Sequence, residues 1–404
     1  MTDSIAVDLP SGVPRPMRWR RPIQIIFYNN PDGYPPIING VRLLARAGFE
    51  VDLYCRDNGE DWNVEYPTSV RVHRLRGAAG NSWREYASFV GRVLRLASPR
   101  AGVFIGHDMH SLFPARLLAT LYRRPLVYHC HDYCDLNDAR AIVTKGVQIV
   151  HNFEQRFART ANLVIVPDAD RAKVMCRELR LRKKPLIVAN APLKDVTPGT
   201  MRLRELLASQ GHTFEKIIFR QGRIGDGHAI EATIRSLPLW DKTTWGFVVM
   251  GPGEASYAQH LAGVAQTLGV QDRFVQLAPV GYDEVMQFTA GADVGHALYQ
   301  PIHVNNVHIS TASNKIMEYL CASLPLLVSQ RPALQKLVDK HECGVSADET
   351  NPESIAAAVN QLLGDPHKSQ HMGNAARTAF ETIFCYDRQF APVIEAMQKM
   401  VIRR

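Results

Sequence analysis

Short hydrophobic runs alternate with longer amphipathic stretches along the chain. In the first half these runs are bounded by turn residues, and they are IQIIFY (23–28), EVDLY (50–54), GVFIG (102–106), PLVYH (125–129) and NLVIV (162–166). Stretches with helical spacing of apolar residues, such as 110–122 and 146–160, separate most of them. Short buried strands that alternate with amphipathic helices are typical of a parallel sheet covered by helices. The pattern therefore predicts the α/β class.

The same alternation begins again after residue 196. The second set of runs is KIIFR (216–220), WGFVVM (245–250), RFVQL (273–277), DVGHAL (293–298) and LPLLV (324–328). A segment rich in Pro, Gly and Thr, 190–200, separates the two sets and has the composition of a linker. Because 404 residues exceed one ordinary core, we predict two doubly wound, Rossmann-like domains, 1–195 and 196–386, facing a central cleft. Such sheets bind ligands beyond the carboxyl ends of their strands, so the cleft is the predicted site.

The positive charge of the chain is concentrated in its first half. Residues 1–196 hold 29 Lys and Arg against 19 Asp and Glu, a balance of +10, and the remainder holds 18 against 20, so the net charge is +8. A basic N-terminal half suggests an anionic partner, either a phosphate-bearing acceptor or the anionic face of a membrane. A merely solvated basic face is the alternative. No signature of a nucleic-acid-binding module is present, so we expect no nucleic acid partner.

Targeting signals and disulfide frameworks are not evident. No apolar run approaches the roughly 18 residues that a membrane span needs. The first ten residues lack the basic start and apolar stretch of a secretory signal. The seven cysteines are scattered without framework spacing, which favours free thiols in a reducing compartment. We expect a cytoplasmic protein, with a peripheral location on the inner face of a membrane as the alternative.

The segment SNKIMEYLCASLPLLVS (313–329) carries the most specific chemistry. It predicts a helix that Ser313 caps, a tight turn and a buried strand. Asn314, Lys315 and Glu318 share one helical face. A carboxylate there can accept two hydrogen bonds from a ribose diol while the start of the helix faces a diphosphate. The alternative is an ordinary Lys–Glu surface pair.

Two glycine-bearing turns follow predicted strands of the second half. In KIIFRQGRIGDGHAIEATIRSL (216–237) a strand leads into Gly222, Gly225 and Gly227 and then into a helix. In MGPGEASY (250–257) Gly251 and Gly253 stand between a strand and a helix. Glycines allow a backbone to approach a pyrophosphate closely. Each turn alone is a weak signal, since an ordinary strand–turn–helix has the same composition.

Together these segments resemble the donor-binding half of family 4 glycosyltransferases, which are retaining enzymes of the GT-B fold. The resemblance is strongest in 313–329 and extends over nearly the whole chain from about residue 22. It implies that Glu318 binds the nucleotide ribose and that Arg223 holds the diphosphate. A final helix, 387–401, is expected to cross back onto the N-terminal domain.

Two positions depart from the family pattern. Ser310 stands where the family typically has a second glutamate near the donor sugar, and His228 falls at or next to its second basic residue. The resemblance also places Gly222, Gly251, Gly253 and the loop that contains Pro279 beside the nucleotide. Because backbone groups clamp the base there, the sequence does not disclose the identity of the base.

The N-terminal half resembles the family's acceptor side. Gly33 and Tyr34, in 29–54, are the candidate loop residues near the donor sugar and the acceptor. GHDMHSL (106–112) and VYHCHDYCDL (127–136) each follow a predicted strand and should face the cleft. His131 and Asp132 match a His–acidic pair of the family. We expect His131 to orient the donor sugar, and Asp132 to hold the acceptor or stabilise positive charge near the anomeric carbon.

The cluster HCHDYC contains three residues of metal-ligand type, His129, His131 and Cys134. Neither a second C-x-x-C nor an H-x-x-x-H pair completes a tetrahedral zinc site. We interpret Cys130 and Cys134 as packing residues, and we expect neither a metal nor a cofactor, since a nucleotide sugar is a substrate.

The predicted activity is transfer of a sugar, with retained anomeric configuration, from a nucleoside diphosphate to a hydroxyl acceptor. UDP-sugars are favoured and GDP-sugars possible, and the expected acceptor is a glycan or a lipid-linked saccharide in polysaccharide biosynthesis. One alternative is a nucleotide-sugar epimerase or phosphorylase of the same fold. The other is a non-catalytic GT-B protein that binds a glycan or a partner, which Ser310 and His228 motivate.

The segment SWREYASFVGRVLRLASPR (82–100) is the candidate membrane contact. It places Tyr86, Phe89, Val93 and Leu96 at helical spacing, with Arg84, Arg92, Arg95 and Arg100 nearby. With Arg18, Arg20 and Arg21 it could lie on an anionic bilayer. The alternative is that the apolar stripe packs on the sheet.

Overall fold

The computed structural model describes residues 19, 21–59, 64–76, 82–136, 144–199 and 201–402. Two parallel sheets, each covered by helices, form the molecule. The prediction of two Rossmann-like α/β layers is confirmed. Arg18 and Arg20 of the candidate membrane contact lie outside the described residues.

The first sheet has seven parallel strands in the order β3-β2-β1-β4-β5-β6-β7. The strands are β1 Ile23–Phe27, β2 Val51–Asp57, β3 Val70–Arg76, β4 Val103–His107, β5 Leu126–His129, β6 Leu163–Val166 and β7 Leu186–Ile187. The helices that cover it are α1 Pro35–Arg46, α2 Trp83–Leu96, α3 Asp108–Leu121, α4 Lys145–Ala158 and α5 Ala169–Glu178. The strand order reverses between β1 and β4, where ligands of open parallel sheets usually bind.

The second sheet has six parallel strands in the order β10-β9-β8-β11-β12-β13. The strands are β8 Lys216–Gln221, β9 Trp245–Met250, β10 Phe274–Leu277, β11 Val294–Ala297, β12 Leu326–Ser329 and β13 Gly344–Ala347. The helices around it are α6 Arg202–Ser209, α7 Ile230–Ser236, α8 Ala255–Thr267, α9 Tyr282–Thr289, α10 Val304–Val307, α11 Asn314–Cys321, α12 Pro332–His341, α13 Pro352–Gly364 and α14 Pro366–Ala379. Here the order reverses between β8 and β11.

The last helix, α15 (Tyr386–Ile402), packs on the first sheet's side of the molecule. It follows a π-helical turn at Phe380–Phe384. The hydroxyl of Tyr386 donates to the carbonyl of Pro36 at 3.0 Å, and the backbone N–H of Ala189 donates to Gln389 at 3.3 Å. The helix therefore ties the end of the chain to α1 and to the segment that leads out of the first sheet.

Side chains of α1 also meet the second half of the chain. Arg42 pairs with Asp283 at 2.9 Å. Asn39 donates to the hydroxyl of Tyr282 at 2.9 Å and to the carbonyl of Ala191 at 3.0 Å. These contacts join α1 to the start of α9, so they connect the two walls of the cleft.

Helix α2 begins at a capping box formed by Ser82 and Glu85 and buries most of its apolar stripe. Tyr86, Phe89 and Val93 are all less than 9% exposed. The idea that this stripe lies on a bilayer is wrong for these three residues, because each packs in the protein core. Leu96 is half exposed. Within the described residues, no helix combines the length and apolarity that a membrane crossing requires.

Candidate active site

A cavity of about 340 Å³ opens at the carboxyl ends of β8 and β9. Its walls come from loops of both halves and from α11. The lining residues are Asp32, Gly33, Pro35, Gln221, Gly222, Arg223, Met250, Gly251, Pro252, Pro279, Val280, Tyr282, Val285, Asn314, Lys315 and Glu318. The structure thus brings together eight residues that the sequence singled out: Gly33, Gly222, Arg223, Gly251, Pro279, Asn314, Lys315 and Glu318. We call this space the first cavity.

Two glycines allow the loops after β8 and β9 to lie backbone against backbone. Gly222 has a φ of +85°, and a Cβ there would come within 2.9 Å of the Cε of Lys315. Gly251 has a φ of +152°, and a Cβ there would lie 2.2 Å from the carbonyl oxygen of Gly222. A larger residue at either position would strain the backbone and fill this edge of the cavity. Gly253 pairs with Ile224 in an isolated bridge and does not line the cavity.

Glu318 is the buried carboxylate of the first cavity. It is 5% exposed, and its Oε2 accepts a hydrogen bond from the Nε2 of Gln221 at 2.5 Å. The Oε1 of Gln221 in turn accepts from the hydroxyl of Thr289 at 2.6 Å, which fixes the orientation of the amide. Burial raises the pKa of Glu318, while Gln221 and Lys315 act in the opposite direction. A lining carboxylate held by such a chain is preorganised to accept hydrogen bonds.

The start of α11 is fixed by its N-cap. The Oγ of Ser313 accepts from the backbone N–H of Ile316 at 3.3 Å and contacts the hydroxyl of Tyr299 at 2.7 Å. Ser313 is buried and does not line the first cavity, whereas Asn314 and Lys315 do. Ser313 therefore acts through the geometry of the helix, and Lys315 is the half-buried cation at its entrance.

The remaining predicted donor-side residues lie apart from the first cavity. Ser310 donates to the Oδ2 of Asp168 at 2.5 Å, which attaches it to the N-cap residue of α5. His228 is half-buried. Burial, together with the charges of Arg220 and Lys315, holds its pKa well below the usual range, so the ring is neutral at pH 7. Arg223 is exposed and lines the cavity, so Arg223 and Lys315 are its cations.

A second cavity of about 350 Å³ lies at the carboxyl ends of β4 and β5. It is lined by Phe27, Tyr28, Asn29, Tyr34, His107, Asp108, Met109, His110, Ser111, Asp132, Tyr133, Cys134 and Asn305. The predicted loop connects the two spaces, because Gly33 lines the first cavity and its neighbour Tyr34 lines the second. Burial raises the pKa of Tyr34 to about 12, so its hydroxyl remains protonated.

Asp108 is a residue of the second cavity that the sequence analysis missed. It is the first residue of α3 and has a φ of +57°, a left-handed conformation that is strained for a residue other than glycine. Its Oδ1 accepts from the backbone N–H groups of His131 at 2.7 Å and Asp132 at 3.4 Å. Burial and the neighbouring Asp132 raise its pKa to about 7. The only sequence signal for it is its position directly after β4.

Three buried histidines cluster at this wall, and of the three His107 lines the second cavity. His107, His129 and His131 each place a ring nitrogen within 4.8 Å of the others. The Nδ1 of His107 and the Nε2 of His131 are 2.9 Å apart, and the two rings are stacked. Burial lowers the pKa of all three rings, that of His131 to about 4. His131 is 4% exposed and lines neither cavity, so its ring supports the loop that carries Asp132.

The same histidines are the residues whose chemistry could suit a metal ion. The group differs from the one in the sequence motif, since His107 replaces Cys134. The 2.9 Å between His107 and His131 is a hydrogen-bond distance. It is shorter than the roughly 3.3 Å between two nitrogens that are each about 2.0 Å from a tetrahedral zinc ion. The observed arrangement is therefore that of a hydrogen-bonded histidine cluster.

Arg171 of α5 is another residue that the sequence analysis missed, and it joins the two halves. It is 4% exposed and donates to the carbonyl oxygens of His308 at 2.8 Å and Asn305 at 2.9 Å. The guanidinium also donates to the carbonyl of His131 and, at 3.3 Å, to Asp132. Arg171 therefore fixes the loop of the second cavity relative to the 305–308 segment.

Comparisons with known proteins agree with this architecture. The model for the glycosyl transferase 4-like domain matches residues 40–188, and the model for glycosyl transferases group 1 matches residues 207–379. The D-inositol 3-phosphate glycosyltransferase of Corynebacterium diphtheriae is 26% identical over 365 residues, which cover 84% of this chain and 83% of the relative.

Two further relatives are informative about ligands. The GDP-mannose-dependent alpha-(1-6)-phosphatidylinositol monomannoside mannosyltransferase of Mycolicibacterium smegmatis is 25% identical over 235 residues, 54% of this chain and 60% of the relative. The structure of Anabaena HepE in complex with UDP and glucose superposes with a TM-score of 0.70 at 16% identity, covering 94% of this chain and 100% of that one.

The chain is a GT-B glycosyltransferase. Its two parallel Rossmann-like sheets face each other across a cleft, and one wall of the cleft carries a Gly-rich cavity with two cations. Within that class, the two domain matches place the chain in the family 4-like group. The resemblance stated from the sequence is thereby confirmed.

Proposed function

We propose that this glycosyltransferase transfers a sugar from a nucleoside diphosphate to a hydroxyl group and retains the anomeric configuration. The observation that carries the proposal is Glu318, a carboxylate held by Gln221 on the wall of the first cavity, with Lys315 and Arg223 on the same wall. A ribose diol can donate to the carboxylate while the diphosphate faces the two cations. The backbones of Gly222 and Gly251 leave room for the pyrophosphate beside them.

The donor base is proposed to be uracil, with guanine as the second choice. The HepE structure holds UDP, and one relative is named for GDP-mannose. The side chains that line the first cavity beyond Glu318 include Pro279, Val280 and Val285. These side chains carry no hydrogen-bonding groups, so recognition of the base would depend on backbone groups.

The acceptor is proposed to be a glycan or a lipid-linked saccharide that occupies the second cavity. Asp108, Asp132 and Tyr34 offer acceptors and a donor for sugar hydroxyls. The attacking hydroxyl would approach from the face of the leaving group and pass its proton to a phosphate oxygen. Arg223 and Lys315 would stabilise the charge that develops on the departing diphosphate, which makes a metal-independent reaction our proposal.

Incubation with a panel of UDP- and GDP-sugars, with and without oligosaccharide acceptors, tests this function. We expect one donor to be consumed and the product to keep the donor's anomeric configuration by NMR, and Glu318→Ala to lose most of that activity. Interconversion of the donor sugar without transfer would indicate an epimerase. Binding without turnover of any donor would indicate a non-catalytic protein.

A further inference from the structure

Arg220, the penultimate residue of β8, is a buried cation without a carboxylate partner. It is 0% exposed, and its Nε and Nη2 have no hydrogen-bond partner in the part of the chain that the structure describes. Among the described residues, no Asp or Glu forms an ion pair with it. Its recorded contacts are the Nδ1 of His296 at 3.4 Å and the ring of Tyr299, whose centroid is 5.6 Å from the guanidinium carbon. Burying an unpaired guanidinium destabilises a fold unless another interaction offsets it.

The hydrogen bonds around His296 leave the guanidinium charge uncompensated. The hydroxyl of Thr233 donates to the carbonyl of Ala229 at 2.8 Å, so it accepts from the Nε2 of His296 at 2.9 Å. The Nδ1 of that ring is then the acceptor for Arg220. Burial and Arg220 hold the pKa of His296 well below its usual range, so the ring is neutral. A neutral acceptor orients Arg220 but brings no negative charge.

The contacts of Arg220 lead to two residues that flank the first cavity without lining it, Ser313 and His228. Tyr299, over which the guanidinium lies, bonds Ser313, the N-cap of α11. His228 packs edge-on against the same Tyr299 ring, with 5.9 Å between centroids. Both Arg220 and Lys315 act electrostatically on His228. Arg220 therefore lies beside residues that flank the wall of the first cavity, and it directly precedes a residue of that wall, Gln221.

We propose that Arg220 is a fixed buried cation whose counter-charge is the diphosphate of the bound donor. The inference rests on the proposed function and deepens it. Arg220 does not touch the ligand, so it is a positioning residue that acts through its field. The protein between Arg220 and the bound diphosphate has a low dielectric constant and excludes salt. The guanidinium charge therefore acts over several ångströms with little screening. The donor's phosphates would supply the anion that the protein itself lacks.

The proposal makes opposite predictions for stability and for binding. Arg220→Met keeps a similar volume but removes the unpaired charge, so it should leave the Tm unchanged or raise it. The same variant should bind UDP about tenfold or more weakly, while its affinity for uridine, which has no phosphate, stays within about twofold. Arg220→Lys, which retains the charge, should recover most of the UDP affinity.

Arg273, a half-buried arginine next to the same sheet, offers a control. Its guanidinium donates to three backbone carbonyls, those of Trp245, Leu237 and Lys242. Arg273 directly precedes β10, and its guanidinium reaches Trp245 at the start of β9, whereas the first cavity lies at the end of β9. Arg273→Met should lower the Tm, because it removes the donor from the carbonyls of the buried residues Leu237 and Trp245. It should not change the ratio of UDP to uridine affinity.

Calorimetric titration of the parent and the three variants with UDP and uridine, and in parallel with GDP and guanosine, decides the question. Equal diphosphate affinity of Arg220→Met and the parent would overturn the inference. Loss of the fold in Arg220→Met would also overturn it, since the guanidinium would then be a stabilising structural group. A parent that binds neither nucleoside diphosphate would instead contradict the proposed function.

Discussion

The two walls of the cleft differ in charge and in how their polar groups are held. At the ends of β8 and β9, two cations, Arg223 and Lys315, lie beside the backbone of Gly222 and Gly251. At the ends of β4 and β5, the cavity carries Asp108 and Asp132, and none of the described residues that line it is a lysine or an arginine. The first wall suits an anionic diphosphate and the second suits a neutral polyol. Under the proposed function the two sheets divide donor and acceptor recognition, and Arg223 and Lys315 distinguish the donor wall, although Asp32 and Glu318 line it as well.

The buried polar groups at the two walls differ as well. At the first cavity, the lining residues Glu318 and Gln221 and the buried Thr289 form a chain in which each group bonds the next. At the second, His107 and His131 share one hydrogen bond, while the Nδ1 of His131 and the Nε2 of His129 have no partner within the described part of the chain. We interpret the first wall as rigid and preorganised, and the second as the one whose stability depends on histidine protonation.

The largest expected effect on activity belongs to Arg223. Because charge on the leaving diphosphate is greatest in the transition state, Arg223→Ala should lower kcat by about 10²- to 10³-fold. Binding of the nucleoside should change much less. Steady-state kinetics with the identified donor measure the first effect and calorimetry the second. Unchanged turnover in Arg223→Ala would remove this residue from the mechanism.

His131→Ala tests the second wall, which carries the proposed acceptor site. Loss of the ring should let the loop with Asp132 shift, and a displacement of about 1 Å can lower transfer by about 10²-fold. Affinity for free UDP should stay within about twofold, because the ring lines neither cavity. Transfer assays and UDP titration of the same preparation test this. A variant that transfers normally, or that loses UDP affinity, would contradict the assignment to the acceptor wall.

Much of this architecture could be predicted from the sequence. The buried apolar runs located most strands, and the periodicity of 313–329 placed Asn314, Lys315 and Glu318 on one helical face. Strand β3, VRVHRLR, lacks an apolar run because it is an edge strand with exposed arginines. Arg220 and Gln221 were missed because a polar residue within a buried strand has no local signal for its partner, and Thr289 lies 68 residues from Gln221.

The two walls should also differ in their response to pH. The pKa of Asp108 is raised to about 7 in the folded protein, so its unfolded form releases the proton first. Its contribution to stability is present below pH 4 and is lost as the pH rises to about 7. Asp108→Asn should remove this loss. Between pH 4 and pH 8, the free energy of unfolding of the variant should therefore improve by roughly 1–3 kcal/mol relative to that of the parent.

The buried histidines should change the stability of the fold with pH in the opposite direction. Their folded pKa values are lowered, so their contribution is present above pH 6.5 and falls as the pH drops towards about 4. Urea unfolding between pH 4 and pH 8 separates the two effects on the free energy of unfolding. His129→Leu should reduce its fall towards acid pH, and Asp108→Asn should reduce its fall as the pH rises to 7. An Asp108→Asn profile parallel to that of the parent would show that Asp108 titrates normally.

The smallest expected effect concerns membranes. Trp83 and Leu96 are 52% and 50% exposed on α2, beside exposed Arg84, Arg92 and Arg95. This basic face is proposed to bind anionic vesicles, with about 1 kcal/mol per basic residue near the surface. Flotation at low salt should favour anionic over neutral vesicles, and Arg84→Glu with Arg95→Glu should abolish the preference. Equal flotation with both vesicle types would reject the membrane contact.

Calorimetric titration of UDP and GDP into the parent, Glu318→Ala and Asp132→Ala tests most directly whether the donor nucleotide is held by the second sheet's wall. A ribose diol bound by a charged acceptor contributes about 1.5–3 kcal/mol. Glu318→Ala should therefore bind the nucleoside diphosphate about 10- to 150-fold more weakly, while Asp132→Ala binds it as the parent does. If Glu318→Ala bound the nucleoside diphosphate as the parent does and Asp132→Ala lost that affinity, the donor would lie on the first sheet's wall, which would contradict the account.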